Sequence, residues 1–120
     1  KYKCSSCHKF VCATKQLTVF RPPLTLVVQL KRFKYNPFGG RGGGGKVSKR
    51  IKYESTMDLP LSDGRKCKYT LTGVLVHVGG SSSSGHYFAY VKAVGGSWFQ
   101  MNDDFVQPVQ EQSVLNVSNA

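Results

Sequence analysis

An antiparallel β architecture with little helix is what this sequence of 120 residues predicts. Three observations predict it. Runs rich in Val, Leu, Tyr and Phe alternate bulky with smaller or polar residues, the period-two signature of strands. Glycine-rich breaks separate those runs where hairpins need positive φ. Helical signals are poor: Glu111 to Leu115 suggests one short turn, entered at Pro108. The hydrophobic content of 40%, with seven Phe, six Tyr and one Trp, is enough to build a core from those strands.

Along the chain, Tyr2-Lys3-Cys4-Ser5-Ser6-Cys7 opens with a Cys-x-x-Cys pair. Leu24 to Leu30 is a nearly continuous apolar run introduced by Pro22-Pro23, so it reads as a mid-sheet strand covered on both faces. Residues 36 to 45 hold six glycines and are expected to form a loop, because ordering so many glycines costs too much backbone entropy. Leu71 to Val78 reads as a second buried strand. Gly79-Gly80-Ser81-Ser82-Ser83-Ser84-Gly85 is expected to be a flexible stretch that ends at His86 and gates access to it.

The next two strands, 86 to 92 and 97 to 101, carry the chemistry. Val94-Gly95-Gly96 supplies the turn between them. A hairpin centred on Val94 places His86 directly across from Asn102 on one face, so that an amide orients an imidazole. A turn made of Gly95-Gly96 alone would put that pair three positions out of register. A histidine held by an amide or carboxylate is the general-base half of a nucleophilic hydrolase.

Four cysteines remain: Cys4, Cys7, Cys12 and Cys67. A Cys-x-x-Cys knuckle supplies two of the four ligands of tetrahedral zinc. Cys12 or His8 offers further donors for a self-contained site, and a redox dithiol is the alternative, although no strand-to-helix context places Cys4 where its pKa would fall. Cys67, between Lys66 and Lys68, reads as a plain thiol. Reduced cysteines, the lack of a secretory apolar segment and the lack of an apolar run near membrane length predict a soluble intracellular protein with no membrane contact.

Net charge is +11, and Lys31, Arg32, Lys34, Arg41, Lys46, Lys49, Arg50 and Lys52 crowd one segment. Such a patch attracts polyanions, so nucleic acid or a nucleic-acid-bound substrate is a candidate partner beside the simpler reading of a solvated strand face. Phe33, Tyr35 and Phe38 interleave it and would permit base stacking.

Gly85-His86-Tyr87 with its aromatic strand, followed by Trp98 and Met101-Asn102-Asp103, resembles the histidine box of the ubiquitin-specific proteases, a papain-like class of cysteine deubiquitinases. Leu30-Lys31-Arg32-Phe33, Tyr69-Thr70-Leu71 leading into Val74 to Gly79, and Cys4-Ser5-Ser6-Cys7 resemble other motifs of that family in the same order. The resemblance implies an α+β whole, of which this chain is the mostly antiparallel β part from fingers and palm. Residues 1–20 would end the zinc-binding fingers, and 21–120 would be palm with the histidine box. The half bearing the nucleophilic cysteine would be absent, so this piece alone should be inactive. By the same resemblance His86 is the base, Asn102 its orienting partner and Asp103 an auxiliary. Gly85 and Tyr87 would line the channel for the ubiquitin tail, and Cys4 and Cys7 would be half of a structural zinc site. Ubiquitin, ubiquitinated proteins and the missing half would be the partners, with a nuclear or nucleolar location favoured by the basic charge. An inactive ubiquitin-binding scaffold or a basic RNA-associated β domain are the alternatives. A metal site joining His77 and His86 is a poorer one, since His77 is expected to pack or hydrogen-bond beneath the 79–85 stretch.

Overall fold

The structure, a computed structural model, describes residues 1–33, 45–81 and 84–117. Its centre is a four-stranded antiparallel meander of β5 (Gly73–Ser81), β6 (Ser84–Lys92), β7 (Trp98–Asn102) and β8 (Phe105–Val109), ordered β5-β6-β7-β8. Two small hairpins precede it: β1 (Tyr2–Lys3) with β2 (Phe10–Val11), and β3 (Thr56–Pro60) with β4 (Lys66–Thr70). The helix α1 (Glu111–Leu115) follows β8, with Gln110 as its extended N-cap residue. Glu111 in its first turn complements the positive end of the helix and lies 3.5 Å from the Lys92 ammonium. Pro108, expected to open the helix, belongs to β8 instead.

One face of the meander carries the core. Val74 and Val76 of β5 are buried together with Trp98 of β7 and Val114 of α1, and Phe88, Tyr90, Tyr53, Leu71 and Val109 pack around them. Each valine so buried contributes about 1.5–3 kcal/mol. The Tyr53 hydroxyl donates to the Val114 carbonyl at 2.6 Å, which ties α1 down, and burial raises its pKa with the help of Tyr90. Leu75, between the two valines, is 65% exposed. The strand expected to be covered on both faces is therefore covered on one along Val74 to Val76, and on the other only at His77.

The β6–β7 turn is Val94-Gly95-Gly96, closed by Ala93 and Ser97, with positive φ at both glycines. Its centre is Gly95, since Lys92 pairs with Trp98 and Ala89 with Met101. That is one residue beyond the expected centre, and it shifts the partner of each β6 residue by two. Because the shift is even, no side chain changes face.

Two expected elements differ. Leu24 to Leu30 forms no strand, and Leu24, Val27 and Val28 are 104%, 84% and 65% exposed. A strand exists only through its partners' backbone groups, and among the described residues none lines up along that run. The segment before it is held at points, by the Tyr69 hydroxyl on the Pro23 carbonyl at 2.6 Å and by a parallel bridge from Val19 to Leu61. The second difference lies in Gly79 to Gly85. Its described residues are arms of the β5–β6 hairpin rather than a loop, with a register irregularity between Val78 and Ser81. The loop expected over 36–45 falls, except for Gly45, outside the described residues.

The radius of gyration, 19.7 Å, exceeds the roughly 14 Å of a compact domain of this length. The extents, 62 × 45 × 20 Å, are those of a plate.

Candidate active site

His86 lies on β6 beyond the last β6–β7 pair, Ala89 with Met101, and is held from the other side by pairing with Val78 of β5. Asn102 is the last residue of β7. The observed register sets Asn102 in line with Phe88, so His86 and Asn102 are diagonal neighbours on the core-bearing face. Diagonal Cα atoms stand about 7–8 Å apart, within reach of two medium-length side chains. They meet: His86 Nε2 is 2.5 Å from Asn102 Oδ1. Because an amide oxygen only accepts, Nε2 carries the hydrogen and Nδ1 keeps its lone pair.

Asp103 follows at the two-residue β7–β8 turn with φ 52, a left-handed conformation that Asp tolerates. Its Oδ2 is 3.8 Å from the same Nε2. The side chains of His86 and Asp103 are 49% and 75% exposed, so the imidazole stands at an open edge of the plate and any charge interaction between the two is solvent-screened.

Gly85 and Tyr87 alternate with His86 and therefore face the other side of the sheet. There Tyr87 pairs in register with His77, ring to ring at 4.6 Å, and remains 52% exposed. His77 is itself buried at 7%. His77 and His86 consequently point to opposite faces, which rules out a shared metal between them. The expectation that His77 packs beneath the 79–85 segment holds: a Cβ on Gly79 would come within 3.0 Å of its Cε1. The support around it, Phe33 at 5.4 Å and Lys46 on its carbonyl, left no signal in local pattern, since both contacts are long-range.

The cysteines lie elsewhere. Cys4 and Cys7 bracket the turn between β1 and β2, where the Cys4 amide donates to Lys9 at 3.0 Å and His8 adopts φ 58. The backbone amides of Cys7 and then Ser6, with the Cys7 side chain, lower the Cys4 pKa by stabilising its thiolate. Two thiolates are half of a tetrahedral set. Among the described residues no group of three or more His, Cys, Asp or Glu side chains could hold a metal, so the self-contained site with His8 and Cys12 does not form and no step is derived through zinc. Cys67 is on β4 of the other hairpin.

The basic segment also resolves differently. Arg32 is 8% exposed and donates through one guanidinium nitrogen to the carbonyls of Val47 and Lys49 at 3.0 and 2.8 Å. Lys46 binds the His77 carbonyl, and Arg50 binds Asn116 at 2.6 Å. Three members of the expected patch thus serve internal contacts; Lys31, Lys49 and Lys52 are exposed, and Lys34 and Arg41 lie outside the described residues. Among the described residues no helix is long and apolar enough to cross a membrane.

The site is thus a histidine braced by an amide at the lip of an antiparallel sheet, an arrangement in which an imidazole can accept a proton. Residues 1–120 match the family model of the ubiquitin carboxyl-terminal hydrolases. The chain belongs to that family. It is 42% identical over 119 residues to "Probable ubiquitin carboxyl-terminal hydrolase 16" of Schizosaccharomyces pombe, covering 97% of this chain and 25% of that protein. It is 40% identical over 119 residues to ubiquitin carboxyl-terminal hydrolase 42 of Homo sapiens, covering 96% and 8%. Among solved structures it resembles the SAGA Ubp8/Sgf11/Sus1/Sgf73 DUB module bound to ubiquitin aldehyde, with TM-score 0.82 and 29% identity over 98% of this chain and 28% of that one. The same module bound to monoubiquitin matches with TM-score 0.82 and 30% identity, covering 98% and 26%. The chain thus spans a quarter or less of the curated relatives named here.

Proposed function

We propose that this chain is the histidine-bearing part of a ubiquitin-specific thiol protease that cleaves isopeptide bonds at the ubiquitin C-terminus. The contact between His86 Nε2 and Asn102 Oδ1 carries the reading. With Nε2 committed to the amide, Nδ1 accepts the proton of a cysteine thiol supplied by polypeptide beyond these residues, and the thiolate attacks the carbonyl carbon of the terminal glycine. The imidazolium returns its proton to the departing lysine amine as the thioester forms. It then takes a proton from water, whose attack releases ubiquitin and the thiol. Asn102 keeps the ring in the productive tautomer, and Asp103 stabilises the imidazolium from the same side.

Relatives that bind ubiquitin support the substrate class. On this reading Gly85 and Tyr87 border the path of the ubiquitin tail. Residues 1–20 belong to the fingers and 21–120 to the palm, with Cys4 and Cys7 offering two thiolates to a structural zinc whose other donors lie elsewhere. Free thiols suit an intracellular setting. Among the described residues of the basic segment the side chains of Lys31, Lys49 and Lys52 stay exposed without an assigned internal contact, and nucleic acid binding is not part of the proposal. The test is labelling of the full-length parent by an electrophilic ubiquitin C-terminal probe, with and without His86→Ala. Loss of labelling in the variant is expected; equal labelling of both refutes His86 as the base.

A further inference from the structure

Directly across the tight turn from Asn102 stands an aromatic side chain that the core does not use. Phe105 of β8 pairs in register with Asn102. The two therefore share the core-bearing face on which His86 also stands, with Cβ atoms about 4.5–5.5 Å apart. Phe105 is 61% exposed and belongs neither to the buried cluster of Val74, Val76, Trp98 and Val114 nor to the residues packed against it. Asn102 is thus flanked on both sides: by His86 on the diagonal toward β6, 2.5 Å from its amide oxygen, and by the residue that carries the phenyl ring toward β8. One row further in, Gln107 donates to Gln100 at 2.9 Å, so the next polar side chains on this face of both strands are engaged with each other.

An asparagine at the end of a strand has other places to put its amide. Its χ1 has three staggered wells, and water or a polar neighbour on β8 would compete for the group with an imidazole whose own side chain is 49% exposed. A phenyl ring offers no hydrogen bond and takes up space on that side. We propose that Phe105 is a positioning residue: it denies Asn102 both a partner and room toward β8, which leaves the amide oxygen on His86 Nε2. Phe105 acts only through Asn102. A displacement of about 1 Å in such an arrangement costs about 10²-fold in rate, so a residue next to the orienting amide has leverage. Its exposure also means that it can be exchanged at about 0.5 kcal/mol or less, without loosening the sheet. The inference rests on the reading of His86 as the base and Asn102 as its orienting partner.

The test uses the full-length parent carrying Phe105→Gln or Phe105→Leu, each alone and combined with Asn102→Ala, with kcat, KM and melting temperature measured on a fluorogenic ubiquitin C-terminal amide. Phe105→Gln sets a competing amide across from Asn102 and should lower kcat about 10-fold. Phe105→Leu, apolar and bulky, should keep kcat within about 3-fold of the parent. In the Asn102→Ala background no amide remains to be held, so Phe105→Gln should cost less than about 2-fold, because the effects of coupled neighbours do not add. A role in substrate binding, in seating the nucleophile-bearing half or in folding gives the same loss with and without Asn102. That additive result, parental kcat in Phe105→Gln, or Phe105→Leu as slow as Phe105→Gln overturns the proposal. If Phe105→Gln melts below the assay temperature, Phe105→Ser takes its place under the same criteria. Failure of the base reading is distinguishable: His86→Ala labelled like the parent by the ubiquitin probe sinks that reading, whereas unlabelled His86→Ala beside a fully active Phe105→Gln enzyme sinks only this one.

Discussion

His86 and Asn102 stand two positions out of register on one face of β6 and β7, and the diagonal between them is closed by a 2.5 Å contact. In the full-length parent, His86→Ala should lower kcat by about 10²–10⁴, the usual worth of a positioned base. Asn102→Asp should keep most activity, because a carboxylate also accepts from Nε2 and stabilises the imidazolium, whereas Asn102→Ala should lose much of it. Steady-state hydrolysis of a ubiquitin C-terminal amide checks the series. An Asn102→Ala enzyme as fast as the parent would contradict the orienting role.

Asp103 contributes less through its charge than through its backbone. An ion pair this exposed is worth about 0–1 kcal/mol, so Asp103→Asn should change kcat by no more than about 5-fold. Asp103→Val, a β-branched residue forced to φ 52, should do more harm than Asp103→Asn by straining the turn that ends at Asn102. Comparing both variants for rate and melting temperature separates the two contributions.

Gly85→Ala should be damaging. Its φ is 155, and the added methyl would meet His77 and stand 2.5 Å from the Val78 carbonyl, backbone that cannot give way. We expect a loss of about 1–3 kcal/mol in the urea midpoint analysis, together with a fall in kcat. An active, fully stable Gly85→Ala protein would contradict the close approach.

Arg32 and Lys31 are adjacent and alike in charge, yet only one is buried. Removing the buried guanidinium in Arg32→Ala takes a charged donor from the Val47 and Lys49 carbonyls, a loss of about 1.5–3 kcal/mol. Lys31→Ala should change stability by about 0.5 kcal/mol or less. Chemical denaturation of the two single variants tests the contrast.

Cys4 should react with iodoacetamide at lower pH than the same residue in the denatured chain. Its folded pKa is lowered, first by the Cys7 amide and then by that of Ser6, so the thiolate fraction rises earlier as pH increases. Mass-spectrometric alkylation profiles of metal-free protein, folded and in urea, would show coincident curves if those amides do not face the sulfur.

Much of the candidate site's geometry was legible because it is local. His86, the glycine turn and Asn102 lie within one hairpin, and even the misjudged centre cost only an even shift, which kept both side chains on one face. What failed was whatever depended on distant partners. Leu24 to Leu30 has strand composition but no strand to pair with here, and hydrophobicity alone cannot announce that. Arg32 looked like surface charge until the carbonyls of Val47 and Lys49, fifteen and seventeen residues on, accepted from one of its guanidinium nitrogens. The β3–β4 hairpin had a usable local sign in Asp63-Gly64, where Gly64 has φ 85 and Asp63 caps Arg65, but flanking strands so polar gave little alternation to notice.

The face that buries Val76 and Trp98 is also the face on which the imidazole stands. Among the described residues, the ladder that shields the interior from water also sets the angle of the ring. Thermal or chemical loosening of those valines should therefore be felt first as a blunting of turnover, before any bulk melting is visible, and a library selected only for catalysis would be expected to leave its marks in the middle of the plate as readily as at its rim.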